Sequence, residues 1–192
     1  SNGGKGLNQS IALSRAGATV FHAGMVGPDG GPLIEALQQS GVDTGLIRQV
    51  NTRTGNAIIQ VTSGGQNSIV LYGGANQKNT EDCIDLALAD FVKNDWLLLQ
   101  NEVNLTNIMI QKASAKKMRI ALNPSPYTED IANWPLDQVN LFFINEVEGA
   151  QITGHIHPED ILDDLYRQYP HAGFVLTLGR QGCVYQEGAT RI

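Results

Sequence analysis

The sequence predicts an α/β fold built around a mostly parallel sheet. From residue 96 onwards, short and almost continuously apolar segments alternate with amphipathic helical segments. This alternation is typical of parallel strands that are buried on both faces. The apolar segments are also followed by polar residues, as expected where the carboxyl ends of parallel strands form a ligand-binding edge. We therefore expect a single α/β domain over residues 1–192.

The composition is that of an ordinary globular protein and argues against two classes of partner. Of the 192 residues, 42% are hydrophobic and 17% are charged, and the net charge is −6. Without a basic cluster, neither a nucleic acid nor a membrane surface is an expected partner. The apolar runs, such as residues 96–99 and 141–144, are too short to span a bilayer. Cys83 and Cys183 lack metal-ligand spacing, which favours a cytoplasmic location.

Glycine and proline mark the ends of the predicted helices in the first half of the chain. A helical pattern begins at Leu7 and ends at Gly17, and a second is framed by Pro32 and Gly41. Thr80 is expected to cap a third helix. In the second helix, the residues with core spacing are Leu33, Ile34 and Leu37.

Short strands and turns separate these helices. We predict a strand at 19–22, a turn cluster at 24–31, and strands at 54–61 and 67–72, with residues 62–66 forming the hairpin turn between the last two. His22 lies in an apolar stretch, where a lone histidine is interpreted as structural in preference to a ligand or an acid–base group.

The second half of the chain contains the elements of the parallel sheet. The predicted strands are 96–100, 119–123, 139–145 and 174–178, followed by a further strand from Cys183, and the predicted helices are 105–118 and 158–169. The polar residues at or just beyond the strand ends are Gln100, Asn101, Glu102, Asn123, Asn145, Glu146, Thr177 and Gly179. Their convergence predicts a binding site but does not identify a reaction.

A glycine-rich segment near the start of the chain is the second candidate site. Residues 3–9 are Gly-Gly-Lys-Gly-Leu-Asn-Gln, directly before a helical pattern. Glycines allow a ligand to approach the backbone, and the lysine and carboxamides suit the hydroxyls of a polyhydroxylated small molecule. The spacing matches neither a P-loop nor a dinucleotide fingerprint. A flexible glycine-rich terminus remains the alternative interpretation.

These motifs together resemble the ribokinase (PfkB) family of carbohydrate kinases. Residues 3–9 are similar to the family's sugar-binding signature, residues 145–148 to its Asn-x-x-Glu motif, and residues 177–182 to its Thr-x-Gly-x-x-Gly segment. The turn at residues 73–76 resembles the family's Gly-Ala-Asn segment beside the sugar. The resemblance implies a ribokinase-like three-layer α/β/α fold with a mostly parallel sheet and a small β lid near residues 54–72.

The resemblance also implies roles for individual residues. The sugar or nucleoside substrate would be held by Gly3, Gly4, Lys5, Asn8 and Glu102, and the nucleotide by Asn145, Thr177, Gly179 and Gly182. Glu148 would hold Mg²⁺ through water. The implied activity is phosphoryl transfer from ATP to a sugar hydroxyl, with ATP and Mg²⁺ as cofactors and a monovalent cation as a further candidate. A homodimer through the lid is the implied assembly.

The sequence also departs from the family pattern. The family's first strand, which supplies an Asp to the sugar, has no match, and neither has the Gly-Ala-Gly-Asp segment whose Asp is the catalytic base. We therefore assign no catalytic residue and expect this chain to be an inactive or partial form. A non-catalytic sugar- or nucleoside-binding protein on the same fold remains the alternative. An unrelated doubly wound oxidoreductase is less favoured, because no dinucleotide fingerprint follows a strand.

Overall fold

A computed structural model of the chain describes residues 2–61 and 67–192. The predicted hairpin turn at 62–66 lies outside these residues. The chain divides into two compact units, residues 1–87 and residues 88–192. A single domain over the whole chain stays a prediction.

The first unit combines helices with two small two-stranded sheets. Its elements are α1 (Lys5–Arg15), β1 (Gly24–Val26), α2 (Gly31–Gln39), β2 (Ile47–Gln49), β3 (Asn56–Val61), β4 (Asn67–Tyr72), a 3₁₀ turn (Gly74–Gln77) and α3 (Glu81–Leu88), which ends at the unit boundary. β1 and β2 pair in parallel, whereas β3 and β4 pair antiparallel with Asn56 opposite Tyr72. The two strands predicted on either side of residues 62–66 are therefore confirmed.

Both predicted glycine stops end a helix in the same way. After α1, the Ala18 amide donates to the Leu13 carbonyl across Gly17. After α2, the Val42 amide donates to the Leu37 carbonyl across Gly41. This is the Schellman arrangement, which satisfies carbonyl groups left unpaired at a helix end.

The core of the first unit forms between α1, α2 and the segment that follows α2. Leu7, Leu37 and Val42 are its buried members, and partly buried side chains pack around them: Ile11, Val20, Leu33 and Ile47. The predicted inward position of Leu37 is confirmed, and Leu33 packs against the same cluster. Burial of these side chains anchors α1, whose first turn carries the glycine-rich segment.

The strand predicted at residues 19–22 is wrong. Within it, Phe21 makes only an isolated parallel bridge to Asp43. The regular strand is β1, three residues at the start of the predicted turn cluster, and its partner β2 was not predicted. The β propensity of residues 19–22 was overridden because pairing with β2 depends on tertiary contacts that a local sequence pattern does not contain.

The second unit is built on a six-stranded sheet. Its elements are β5 (Trp96–Gln100), α4 (Thr106–Ala115), β6 (Arg119–Asn123), 3₁₀ turns (Glu129–Asn133 and Leu136–Gln138), β7 (Leu141–Asn145), α5 (Glu146–Thr153), α6 (Pro158–Gln168), β8 (Gly173–Thr177), a 3₁₀ turn (Gly179–Gln181), β9 (Cys183–Glu187) and β10 (Thr190–Arg191). The strand order is β10-β9-β8-β7-β6-β5. β5 to β8 run in parallel, β9 is antiparallel to β8, and β10 is antiparallel to β9, so the predicted mostly parallel sheet is confirmed.

Aromatic and aliphatic side chains fill the core of this unit. Phe142 and Phe174 stack with ring centroids 5.5 Å apart, and Tyr169 lies 5.4 Å from Phe142. Ile161, Leu162 and Leu165 of α6 are buried.

The strand at residues 96–100 has the predicted bounds, but the prediction that it is buried is wrong. β5 is the outermost strand of the sheet in the part of the chain that the structure describes, and Trp96 is 49% exposed. None of the described helices is long and apolar enough to cross a bilayer.

Candidate functional site

The glycine-rich segment forms the start of α1. Gly4 is the N-cap residue, with φ 110° and ψ 148°, a conformation that residues with a Cβ rarely adopt. No described side chain caps this helix end, and its first turn contains no acidic residue. The positive end of the helix dipole at a first turn without a side-chain cap suits an anion or a hydroxyl group.

The polar side chains of the segment lie on the same turn. Lys5 is the first helical residue and is half-buried, whereas Asn8 is exposed. The backbone amide of Asn8 donates to the Gly4 carbonyl over 3.0 Å. Residues three apart on a helix are neighbours. Gly3 and Gly4 have open space around them. The structure thus brings Gly3, Gly4, Lys5 and Asn8 together at one helix end.

His22 contacts α1 through Ser10, which lies further along the helix. Its Nδ1 lies 2.8 Å from the Ser10 hydroxyl oxygen, and its backbone amide donates to the Asp43 carbonyl. Burial lowers the pKa of the His22 imidazole below its ordinary value, so the ring is neutral at neutral pH. These contacts agree with the structural interpretation of His22.

In the second unit, the predicted polar strand ends meet at one edge of the sheet. Gln100 is opposite Asn123 at the ends of β5 and β6, and Asn145 is opposite Thr177 at the ends of β7 and β8. Because all four strands run in parallel, these residues lie at the carboxyl edge, where α/β sheets bind ligands. Glu102 follows β5 in a turn and is half-buried.

Some polar residues of this edge shape the loops. The Asn101 amide Nδ2 donates to the Pro126 carbonyl over 2.7 Å and lies 3.0 Å from the Thr128 hydroxyl oxygen. The Asn123 Oδ1 accepts a hydrogen bond from the Ser125 amide. The Asn101 side chain thus connects the loop that follows β5 to the loop that follows β6.

Asn145 and Glu148 form a capping box at the start of α5. The Glu148 amide donates to the Asn145 Oδ1 over 2.8 Å, and the Asn145 amide donates to the Glu148 Oε2 over 3.1 Å. Glu148 is only 5% exposed. Since Oδ1 is used by the cap, the Asn145 Nδ2, which makes no hydrogen bond to any described residue, is left as a donor. A donor of this kind suits a phosphate oxygen.

The turn between β8 and β9 completes this end of the sheet. Leu178 donates to the Gly182 carbonyl over 2.8 Å, and Gly179 and Gly182 have φ values of 56° and 96°. No described atom comes within 4 Å of the position that a Cβ would take at either glycine. The Thr177 hydroxyl donates to the Ile144 carbonyl over 3.3 Å. Asn145, Thr177, Gly179 and Gly182 therefore converge.

No ready-made metal cage accompanies these residues. Among residues 2–61 and 67–192, no group of three or more His, Cys, Asp or Glu side chains is placed to hold a metal ion. Glu148 provides one carboxylate at this edge, and one of its oxygens serves the capping box. A single carboxylate is compatible with Mg²⁺ because this ion commonly retains several water ligands.

One partly buried contact in the first unit could not be predicted from the sequence. Asp29 was assigned only to a turn cluster, but its Oδ1 accepts hydrogen bonds from both the amide and the hydroxyl of Thr54. An Asp just before a helix is usually interpreted as a helix cap. No signal in the sequence indicates that its partner lies 25 residues away.

Comparison with known proteins decides the family. A family model described as pfkB family carbohydrate kinase matches residues 1–192. The chain belongs to the pfkB family of carbohydrate kinases. It is 33% identical over 200 residues to the ribokinase of Haemophilus influenzae, covering 99% of this chain and 65% of that protein. It is 32% identical over 195 residues to the ribokinase of Bacillus subtilis, covering 99% and 64%.

Solved structures of the family share the fold. A structure of Arabidopsis thaliana ribokinase complexed with ribose and ATP matches with a TM-score of 0.83 and 26% identity, covering 99% of this chain and 65% of that one. The ribokinase of Cryptococcus neoformans in complex with ADP matches with a TM-score of 0.78 and 29% identity, covering 98% and 65%. The ribokinase-like α/β fold is therefore confirmed. The chain spans 65% of the length of each of these solved relatives.

The capping box has a direct consequence for stability. We expect Asn145→Ala to lower the free energy of unfolding by about 0.5–2 kcal/mol, because the Glu148 amide loses its acceptor. Glu148→Gln should cost less, since a carboxamide oxygen can still accept from the Asn145 amide. Urea unfolding of the chain measures both.

The matched control for this comparison is His157→Ala. His157 is the N-cap residue of α6, but its side chain makes no capping bond to a described residue. Equal losses for Asn145→Ala and His157→Ala would contradict the capping assignment.

Proposed function

We propose that this chain supplies the sugar-binding and phosphate-binding parts of an ATP-dependent, ribokinase-like carbohydrate kinase. The reaction would transfer the γ-phosphoryl group of ATP to a sugar hydroxyl. The observation that carries the proposal is the convergence of Asn145, Thr177, Gly179 and Gly182 at the carboxyl end of β7 and β8. Together with family membership, this arrangement of donors and open backbone is suited to nucleotide phosphates.

The sugar is assigned to residues that suit hydroxyl groups. Lys5, Asn8 and the uncapped amides after Gly4 offer donors, and Asn8 also offers an acceptor. Glu102 would accept hydrogen bonds from two neighbouring hydroxyls of the sugar. Ribose is the first ligand to test, because the two relatives above are ribokinases and the Arabidopsis enzyme was solved with ribose.

The nucleotide side would act mainly by positioning. Phosphoryl transfer depends on placing the reacting groups and stabilising charge. In this proposal, the Asn145 Nδ2 and the backbone of the 179–182 turn hold the phosphates, while Glu148 orients water that surrounds Mg²⁺. When bound, Mg²⁺ would neutralise negative charge on the phosphates. No residue of the chain is assigned as the catalytic base, and the use of a monovalent cation stays a prediction.

Replacing Glu102 tests the sugar site. We expect Glu102→Gln to weaken ribose binding by about 1–3 kcal/mol, because a sugar hydroxyl loses its charged acceptor. ATP affinity should not change. Isothermal titration calorimetry with each ligand measures both effects, and the exposed Glu129→Gln provides a control of equal chemistry. Unchanged ribose affinity, or an equal loss for ATP, would refute the role of Glu102.

Replacing Glu148 tests the magnesium role separately from helix capping. We expect Glu148→Gln to raise the Mg²⁺ concentration needed for half-maximal turnover by about 10–100-fold, with ribose affinity unchanged. The variant keeps an acceptor for the Asn145 amide, so a loss of folding does not confound the result.

Turnover for this experiment is measured by ADP release, in a protein whose chain is continued to the length of its ribokinase relatives. Glu159→Gln, in the first turn of α6, is the control. Wild-type magnesium dependence in Glu148→Gln would contradict the assignment. Ribose binding without any turnover in the parent protein would favour the non-catalytic sugar-binding alternative.

The β3–β4 pair is the proposed surface of a homodimer. Ile58 and Val70 are opposite each other and are 59% and 57% exposed, while Leu71, the neighbour of Val70 on the other face, is 59% exposed. Apolar side chains exposed on both faces of a two-stranded sheet favour burial against another surface.

A cytoplasmic location also belongs to this proposal, and the free thiols of Cys83 and Cys183 agree with it.

A charge in the β3–β4 surface tests the dimer. Sedimentation velocity should show a dimer for the wild-type chain and a monomer for Val70→Lys, because a lysine charge would be buried at the interface. Val92→Lys, at an exposed valine in the second unit, should remain dimeric. A monomeric wild-type chain, or a dimeric Val70→Lys variant, would contradict the proposal.

A further inference from the structure

Three hydrogen bonds join the turn before α2 to the segment before β3. The Asp29 Oδ1 accepts from the Thr54 amide over 2.9 Å and from the Thr54 hydroxyl over 2.7 Å. The Thr54 hydroxyl oxygen in turn accepts from the Gly27 amide over 2.9 Å. Thr54 is buried, so its polar groups depend on these partners. We refer to Gly27, Asp29 and Thr54 as the Asp29 cluster.

The backbones of the two segments of the cluster are in close contact at Gly27. A Cβ at Gly27 would stand 2.6 Å from the Thr54 nitrogen and closer still to the Thr52 carbonyl oxygen. The turn at residues 27–30 is therefore packed directly on the backbone of residues 52–54. The hydrogen bonds and the close approach fix the same pair of segments independently.

The segment that follows β4 is held at the same place, since Asn56 and Tyr72 pair at this end of the two strands. The Ala75 amide, just after β4, donates to the Arg53 carbonyl over 2.9 Å, and Ala75 is fully buried. A Cβ at Gly74 would clash with that carbonyl oxygen and lie 3.1 Å from the Gly55 nitrogen. Residues 53–55 thus contact both the turn that contains Asp29 and the turn that follows β4. The residues just before β3 and just after β4 are therefore held in place by the same group of contacts.

The same region connects to the glycine-rich segment. α2 begins directly after the Asp29 turn, and the Asn2 side chain donates to the Pro32 carbonyl in the first turn of α2 over 2.9 Å. α1 and α2 also share the buried core around Leu7 and Leu37. A continuous set of contacts therefore leads from Gly3 and Gly4, through α2 and Asp29, to the base of β3.

We propose that Asp29 is a positioning residue for the substrate. By bonding Thr54, it sets the orientation in which the β3–β4 pair meets the ligand held at the start of α1. This inference rests on the proposed function, because it assumes that a sugar binds at the glycine-rich segment. Asp29 itself is not expected to touch the sugar, and its effect is exerted through Thr54 and the two strands.

Charge alone does not account for the arrangement. Arg53 lies 3.4 Å from the second carboxylate oxygen of Asp29, but its side chain is 75% exposed. Exposed ion pairs of this kind contribute little. The hydrogen bonds from Thr54 lower the pKa of Asp29, so the carboxylate remains ionised at neutral pH. The stabilisation from this shift is present above the ordinary aspartate pKa and is lost as the pH falls through the lowered value.

The test compares variants that break or keep the Asp29–Thr54 bonds. Asp29→Ala removes the acceptor, Thr54→Val removes the hydroxyl at nearly constant shape, and Thr54→Ser restores it. Asp43→Ala is the matched control, since the Asp43 side chain accepts only from the nearby Gly45 amide among the described groups. Arg53→Gln removes only the exposed ion pair. All variants are made in the 192-residue chain.

Two measurements are made on each variant. NMR-detected amide exchange reports local opening, and calorimetry with ribose reports affinity. We expect Asp29→Ala and Thr54→Val each to speed exchange about tenfold at residue 54 and along β3 and β4, and to weaken ribose binding about tenfold. The double variant should lose no more than either single variant, because both changes break one network. Thr54→Ser, Asp43→Ala and Arg53→Gln should match the wild type.

The outcomes separate this inference from the proposed function. Wild-type ribose affinity in Asp29→Ala would overturn it, as would faster exchange spread evenly over α1 and α2, which indicates general unfolding. If the wild-type chain binds no ribose or related sugar, the sugar-binding proposal fails. In that case, selective loosening of β3 and β4 in Asp29→Ala, absent in Asp43→Ala, would still support the fixing of these strands by Asp29, and its absence would overturn it.

Discussion

The in-register pairing of β7 with β8 is the constraint on which the proposed phosphate-binding residues depend. It places Asn145 directly opposite Thr177, and the Thr177 hydroxyl donates to the Ile144 carbonyl of the neighbouring strand. Because the strands are parallel, α5 and the 177–182 turn leave the sheet at the same edge. A shift of one residue would turn Asn145 to the other face of the sheet. The register is held by the buried side chains Phe142, Phe174, Ile144 and Leu176.

Helix capping and ligand binding are compatible at this edge because they use different atoms. The cap occupies the Oδ1 of Asn145 and one carboxylate oxygen of Glu148, and it leaves the amide Nδ2 as a donor. The cap also holds both side chains in one orientation. A structural role and a binding role for Asn-x-x-Glu are therefore not exclusive alternatives. Side chains held in this way are pre-organised, as the proposed phosphate site requires.

In the first unit, α1 likewise has residues that anchor it and other residues that are exposed to a ligand. Leu7 is buried in the core and Ser10 is bonded to His22, whereas Gly4 and Asn8 are exposed at the first turn. Groups that would contact a ligand are therefore presented by a helix whose other face is anchored. Ile58, Val70 and Leu71 of the β3–β4 pair are exposed, and the contacts around Asp29 and Thr54 fix the segment that leads into β3.

The sequence by itself determined the fold class, the glycine-rich helix start and the polar edge of the sheet. The bounds of β5 and β6 were predicted correctly because each strand coincides with a short, mostly apolar run of the sequence. Gly17 and Gly41 ended their helices because a C-terminal glycine is a local signal. The motifs that resemble the family are likewise short, continuous segments of the sequence.

Only the tertiary structure decided which distant groups meet. β1 and β2 are three residues each, too short for a periodic pattern, and form because Met25 is brought beside Arg48. Asp29 bonds Thr54 because two turns pack at Gly27, where a side chain would not fit. Periodicity and turn preferences are properties of neighbouring residues, whereas a hydrogen bond across 25 residues exists only once the backbone has placed its two partners.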